Sequence, residues 1–79
     1  MDLYVLKVIK CKDEGKIGTY LVHSRMRTFG FDEFTSTLKK VKIFDHIDYD
    51  EAEKIQDFYR KHLDTEMKIV RIEIKECID

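Results

Sequence analysis

The most regular pattern of apolar side chains lies between residues 52 and 63. Five apolar residues recur there at a spacing of three to four: Ala52, Ile55, Phe58, Tyr59 and Leu63. This spacing places them on one side of an α-helix, which can bury that side against a sheet. The pattern predicts a helix over residues 49–63.

The residues around this segment fit the two ends of a helix. Asp48 can act as the N-cap, with Glu51 as the second member of a capping box. Ile47 and Ala52 stand where a hydrophobic staple forms. Acidic residues crowd the first turn and basic residues the last turn, as the helix macrodipole favours.

The first third of the chain has the composition of a β-hairpin. Residues 3–11 are apolar on both faces of the pleat, which is typical of a central strand. Residues 17–24 form the predicted second strand, and the polar segment 12–16 forms the loop between them. We expect a bulge at Gly15, because glycine accepts a positive φ without a Cβ penalty.

The last predicted strand covers residues 67–76. Apolar residues alternate there with charged ones, and they are Val70, Ile72 and Ile74. The helix should therefore pack on the face that these three share. Residues 25–37 have no clean period and predict a structured loop, with or without a short strand of its own. Residues 38–44 fit either a helical face or a strand, and a turn followed by a short strand near residues 41–44 is favoured.

These elements predict one α+β domain over residues 1–79, in the order β-β-(β)-α-β. A small antiparallel-type sheet of three to four strands carries one amphipathic helix on one face. The second face keeps several apolar side chains, namely Leu3, Val5, Ile9 and Ile69. If the loop over residues 25–37 does not cover them, this face should meet a partner.

Composition narrows the class of protein. The 79 residues include 15 Lys+Arg and 16 Asp+Glu, for a net charge of −1. This balance excludes disorder driven by net charge, and it excludes a strongly basic nucleic-acid-binding protein. The chain has no apolar run of the ~18 residues that a membrane span needs, so a cytoplasmic protein is expected. In that compartment two reduced thiols, Cys11 and Cys77, are favoured over the alternatives of a disulfide bridge or a pair of metal ligands.

Motifs of catalytic or metal chemistry are absent from the sequence. It has no P-loop, nucleophile elbow, dinucleotide-binding glycines, zinc-protease helix motif or paired C-x-x-C. The histidines are scattered, and only His23 with Cys11 and Cys77 offers a conceivable ligand set. We therefore expect no enzymatic activity, no cofactor and no metal.

Acidic residues dominate the segment from residue 45 to residue 57, against the single cation of Lys54. Asp45 and Asp57 have no evident role in capping the helix. On the side away from the apolar stripe, helical spacing aligns Asp50, Glu53 and Asp57. This acidic ridge predicts a protein partner with a basic surface. The aromatic residues Phe29 and Phe31 are the second candidate contact.

Two segments resemble the sheet motifs of the RNA-recognition motif family. Residues 3–8, LYVLKV, resemble RNP2, and residues 27–34, RTFGFDEF, resemble RNP1. The resemblance implies that aromatic side chains stack on RNA bases while basic ones meet phosphates. The residues involved would be Tyr4, Arg25, Arg27, Phe29 and Phe31. A hairpin stands where that family has a helix and a strand, so single-stranded RNA binding is kept as an alternative.

Residues 38–55, LKKVKIFDHIDYDEAEKI, are similar to a segment of small uncharacterised phage and prophage proteins. The resemblance implies a phage-type accessory protein that binds a host protein. The leading hypothesis is therefore a non-enzymatic protein-binding module, an inhibitor that occludes a protein surface. A structural subunit of a homo-oligomer, joined through a sheet face or an edge strand, is the second alternative.

Overall fold

A computed structural model describes residues 2–24 and 33–73 of the chain. In these ranges the chain forms four strands and one α-helix: β1 (Leu3–Lys10), β2 (Tyr20–His23), β3 (Glu33–Thr35), α1 (Tyr49–His62) and β4 (Glu66–Ile72). The predicted α+β class and element order are confirmed. The predicted helix is confirmed to within one residue of its C-terminal end.

The strands form one antiparallel sheet in the order β3-β2-β1-β4. β1 is central, as its apolar residues on both faces predict. It pairs with β4 along nearly its whole length, from Leu3 opposite Ile72 to Lys10 opposite Glu66. This long pairing leaves β4 at one edge of the sheet and the three-residue β3 at the other.

The chain before α1 fills a gap in the sheet. The N–H and C=O of Tyr4 exchange hydrogen bonds of 2.8 and 2.9 Å with the backbone of Phe44. The N–H of Lys42 donates to the carbonyl of Leu21 at 3.0 Å. Residues 42–44 therefore lie where β2 leaves β1, and the short strand predicted near residues 41–44 is a single bridge at Phe44.

The core lies between α1 and one face of the sheet. It contains Leu6, Val8, Leu21, Phe44, Ala52, Ile55, Tyr59 and Met67. The remaining two residues of the helical stripe, Phe58 and Leu63, pack against this core. The periodicity of the stripe thus correctly predicts the buried side of the helix.

The face of β4 that meets the helix differs from the predicted one. Met67 is a core residue and Ile69 packs against the core, whereas Val70 pairs with Val5 on the opposite face. The prediction that these alternating residues meet the helix is therefore wrong for Val70 and Ile72. Both faces of β4 carry apolar residues, so alternation in its second half did not identify the helix-facing side. Ile74 lies outside the described residues.

The β1–β2 connection is longer than predicted, because β2 begins at Tyr20. Glu14–Lys16 form a 3-10 turn, in which the N–H of Gly15 donates to the Asp13 carboxylate at 3.1 Å. Gly18, with φ of 90°, is the glycine of the described residues that has a positive φ. The expected bulge at Gly15 is therefore wrong, and by Gly18, whose N–H donates to the carbonyl of Val8 at 2.8 Å, the chain already runs back along β1.

The start of α1 is held by a different residue from the predicted one. The carboxylate of Asp45 accepts hydrogen bonds from the N–H groups of Ile47 and Asp48, at 2.9 and 3.0 Å. Asp48 is the N-cap, but its side chain makes no capping hydrogen bond. Ile47 is 76% exposed, so it forms no staple with Ala52. Asp45 therefore holds the backbone at the start of α1, and the expectation that it has no role there is wrong.

Candidate functional site

β4 is an edge strand whose outward backbone groups can be identified. In β1, the backbone groups of Tyr4 and Val8 point away from β4, since they bond to Phe44 and to the β1–β2 loop. The backbone N–H and C=O groups of successive residues point to opposite sides of an antiparallel strand. Those of Val5 and of the other odd-numbered residues of β1 therefore form hydrogen bonds with β4. Val5 pairs with Val70, which therefore faces β1. The residues of β4 whose backbone N–H and C=O groups point away from β1, toward the open edge, are Met67, Ile69 and Arg71.

Gln56 covers one end of this edge. Its side-chain Nε2 donates a hydrogen bond of 2.9 Å to the carbonyl of Met67, which confirms the outward direction at that position. Within residues 2–24 and 33–73, the outward N–H and C=O groups of Ile69 and Arg71 have no hydrogen-bond partner. These four groups are available to a further strand.

A groove of about 580 Å³ lies beside this edge, between α1 and the start of β4, and we call it the edge groove. Ile9 and Met67 give it apolar surface. Ile9 stands at the irregularity in β1 between Val8 and Lys10 and is 47% exposed. The polar lining comes from Glu53, Lys54, Gln56, Asp57, Arg60 and Glu66. Apolar surface with a polar rim is typical of a protein-binding groove.

Two of the three predicted ridge residues, Glu53 and Asp57, line the edge groove, and the third, Asp50, is exposed on α1 outside the lining. Asp57 accepts hydrogen bonds from Arg60 Nη2 at 2.6 Å and Lys61 Nζ at 2.9 Å. These bonds, Lys61 first and Arg60 second, lower the pKa of the Asp57 carboxyl.

Asp57 therefore stays ionised, but two cations on the next turn balance its charge. Its local role is that of an ion-pair partner within the helix, since helical i,i+3 and i,i+4 spacing brings both cations to it. The groove wall consequently has mixed charge, with Arg60 in addition to the Lys54 that interrupts the predicted acidic ridge.

Of the aromatic candidates for RNA contact, Tyr4 lies within the part of the chain that the structure describes. Tyr4 is half-buried against the core, with its ring edge-on to Tyr49 at a centroid distance of 4.9 Å. It therefore lies on the face of the sheet that α1 covers. Phe29 and Phe31 fall outside the described residues, as do the two arginines of the same prediction, Arg25 and Arg27.

A second cavity, of about 200 Å³, lies near the C-terminal end of α1 and includes Cys11 in its lining. The Cys11 thiol is half-buried and free, with Thr65 Oγ1 at 3.6 Å from its sulfur. Cys77 lies outside the described residues. Among residues 2–24 and 33–73, no group of three His, Cys, Asp or Glu side chains could hold a metal ion.

No helix of the described part of the chain has the length and apolar character needed to cross a membrane. The elements of the candidate site that sequence reasoning missed are the free edge of β4 and the side chain of Gln56. Edge position depends on the strand order, for which local periodicity gives no signal.

Comparison with known proteins adds no family to this description. No protein-family model matches the chain, and neither the curated proteins nor the solved structures include a match.

Proposed function

We propose that the protein is a small, non-enzymatic protein-binding module that offers β4 to an extended segment of its partner. The observation that carries the proposal is the pair of free outward positions, Ile69 and Arg71, on a seven-residue edge strand. A partner segment would add there as a further strand, with main-chain hydrogen bonds giving affinity.

The energy available from this edge suits a specific but modest interaction. Four backbone groups at ~0.5–1.5 kcal/mol for each hydrogen bond contribute about 2–6 kcal/mol. Ile9, which is 47% exposed in the edge groove, can add the burial of apolar surface, at ~25 cal/mol per Å². Glu53 and the Asp57 cluster at the groove wall would then fix which segment fits.

The finer hypotheses from the sequence stay predictions. A phage-type inhibitor of a host protein agrees with a module that works by covering a surface. A basic partner is now expected to contact Asp50 and Glu53, since Arg60 and Lys61 balance Asp57.

Site-specific photo-crosslinking of the full chain tests the proposal. A benzoylphenylalanine at position 53 reports on the edge groove, and one at position 33 reports on the opposite edge of the sheet. In a lysate of the cells that naturally express the protein, we expect a protein adduct from position 53 and not from position 33.

The matched variants are Arg71→Pro and Arg71→Ala. Both lose the 2.9 Å ion pair with Asp2, but only proline removes the outward N–H. An edge strand tolerates proline where the N–H faces away from the ladder. The adduct should disappear with Arg71→Pro and persist with Arg71→Ala. An adduct from position 33 alone, an adduct indifferent to Arg71→Pro, or an adduct that is RNA would contradict the proposal.

A further inference from the structure

We infer that the strand that adds to β4 is β4 of a second copy of this chain, related by a two-fold axis at Val70. The inference rests on the proposed function, because it names the partner of the same edge. Its basis is that the two free positions, Ile69 and Arg71, flank Val70 symmetrically.

An antiparallel pair about a two-fold axis matches the residue before the axis with the residue after it. With the axis at Val70, Ile69 of each copy pairs with Arg71 of the other. Both positions point their N–H and C=O outward, so each pairing exchanges two hydrogen bonds. The N–H and C=O groups of Ile69 and Arg71 in one copy thus meet the same four groups of the second copy.

Neighbouring registers fit worse. An axis at Lys68 would place Lys68 against itself at a closely spaced position, and Lys68 already lies opposite Lys7 in β1. Four lysines would then cluster, and like charges directly opposite are destabilising. An axis at Ile69 would need the Met67 carbonyl, to which Gln56 already donates.

The axis at Val70 brings favourable side chains together. Val70 would face Val70 of the second copy at a non-hydrogen-bonded position, where cross-strand side chains are closest. A β-branched pair is stabilising at such a position. Ile72 would lie opposite the aliphatic stem of Lys68, so the half-buried apolar surface of Val70 and Ile72 would continue across both copies.

Electrostatics allows the two copies to approach. The edge groove has three carboxylates, on Glu53, Asp57 and Glu66, and two cations, on Lys54 and Arg60. The whole chain has a net charge of −1, so two copies repel each other only weakly. The result is a continuous eight-stranded sheet in which β4 no longer has a free edge.

Sedimentation equilibrium of the full chain over a range of concentrations tests the association. We expect a concentration-dependent mass that approaches twice that of one chain. Arg71→Pro should weaken dimerisation about tenfold or more, because each dimer loses two N–H donors. Arg71→Ala keeps both donors and should dimerise much like the unmodified chain.

Disulfide trapping tests the register, with Cys11 and Cys77 replaced by alanine. Residues opposite each other at a non-hydrogen-bonded position have Cα atoms ~4.5 Å apart, which a disulfide can bridge. Under mild oxidation, Val70→Cys should crosslink to itself, and Lys68→Cys alone should not. A mixture of Lys68→Cys and Ile72→Cys chains should yield the mixed disulfide.

Three results overturn the inference: a chain that stays monomeric at millimolar concentration, a dimer unaffected by Arg71→Pro, or self-crosslinking of Lys68→Cys as efficient as that of Val70→Cys. A monomer that still gives an adduct with another protein at position 53, lost with Arg71→Pro, overturns the second copy but leaves the proposed function standing. A monomer with no such adduct overturns both.

Discussion

Replacing Ile55 with alanine measures how much of the stability depends on the contact between α1 and the sheet. Ile55 is 0% exposed and belongs to the same core cluster as Met67 and Leu6. The substitution removes three carbon atoms, and at ~0.8 kcal/mol for each buried methylene the transfer free energy is about 2.4 kcal/mol. The cavity that remains adds a further cost, which brings the expected loss to about 3–4 kcal/mol.

This loss is large for a domain of this size. At ~0.05–0.15 kcal/mol per residue, a chain of 79 residues has a free energy of unfolding of about 4–12 kcal/mol. Urea unfolding followed by far-ultraviolet circular dichroism should therefore show a midpoint lowered by ~1 M or more, with an unchanged slope.

Ile47→Ala is the matched control, since it makes the same chemical change beside the start of the same helix. Ile47 is 76% exposed, so its loss should change the free energy of unfolding by less than ~0.5 kcal/mol. Equal costs at the two positions would refute the packing of α1 described above. A loss above ~1 kcal/mol for Ile47→Ala would instead support the predicted hydrophobic staple between Ile47 and Ala52.

Three further outcomes are expected. Asp45→Ala should lower the free energy of unfolding by about 1–2 kcal/mol in urea titrations, because two backbone N–H groups lose their acceptor, whereas Asp48→Ala should cost less. Gly18→Ala should lower the free energy of unfolding by about 1–2 kcal/mol, because φ is 90° there. No atom lies within 4 Å of the added Cβ, so the loss would come from backbone strain alone, and Gly15→Ala should lower it less. Titration by NMR should place the pKa of Asp57 below the usual ~3.9; its ion pairs then stabilise the fold above that value, and the contribution is lost as pH falls through the lowered pKa.

Helical periodicity carries enough local information to predict one side of α1. The stripe from Ala52 to Leu63 is buried as expected, because each side-chain position follows from 3.6-residue geometry alone. The face of β4 could not be predicted in the same way. Ile69 and Val70 are both apolar neighbours on opposite faces, and only the pairing with β1 shows which one meets the helix.

Short-range polar contacts were harder to predict than the fold. Asp45 and Asp48 both precede the helix, and because both are aspartates, residue type alone does not show which side chain accepts the backbone hydrogen bonds. The role of Asp57 depends on the rotamers of Arg60 and Lys61, although i,i+3 and i,i+4 spacing was a usable signal. The sequence therefore singled out Glu53 and Asp57, which line the edge groove, but not the cations that change the charge pattern around Asp57.

The two edges of the sheet differ, and this difference supports the proposal that β4 binds a further strand. β3 has only three residues, and this short length is a common protection against unwanted pairing; exposed charges and an irregular register are found on both edge strands. β4 has seven residues, and of its outward groups only the carbonyl of Met67 has a partner in the described part of the chain. Proteins normally protect a long edge strand, because it can pair with any extended chain. A fold that protects its short edge and leaves its long edge free at Ile69 and Arg71 has the asymmetry expected of a strand that is paired when the protein functions.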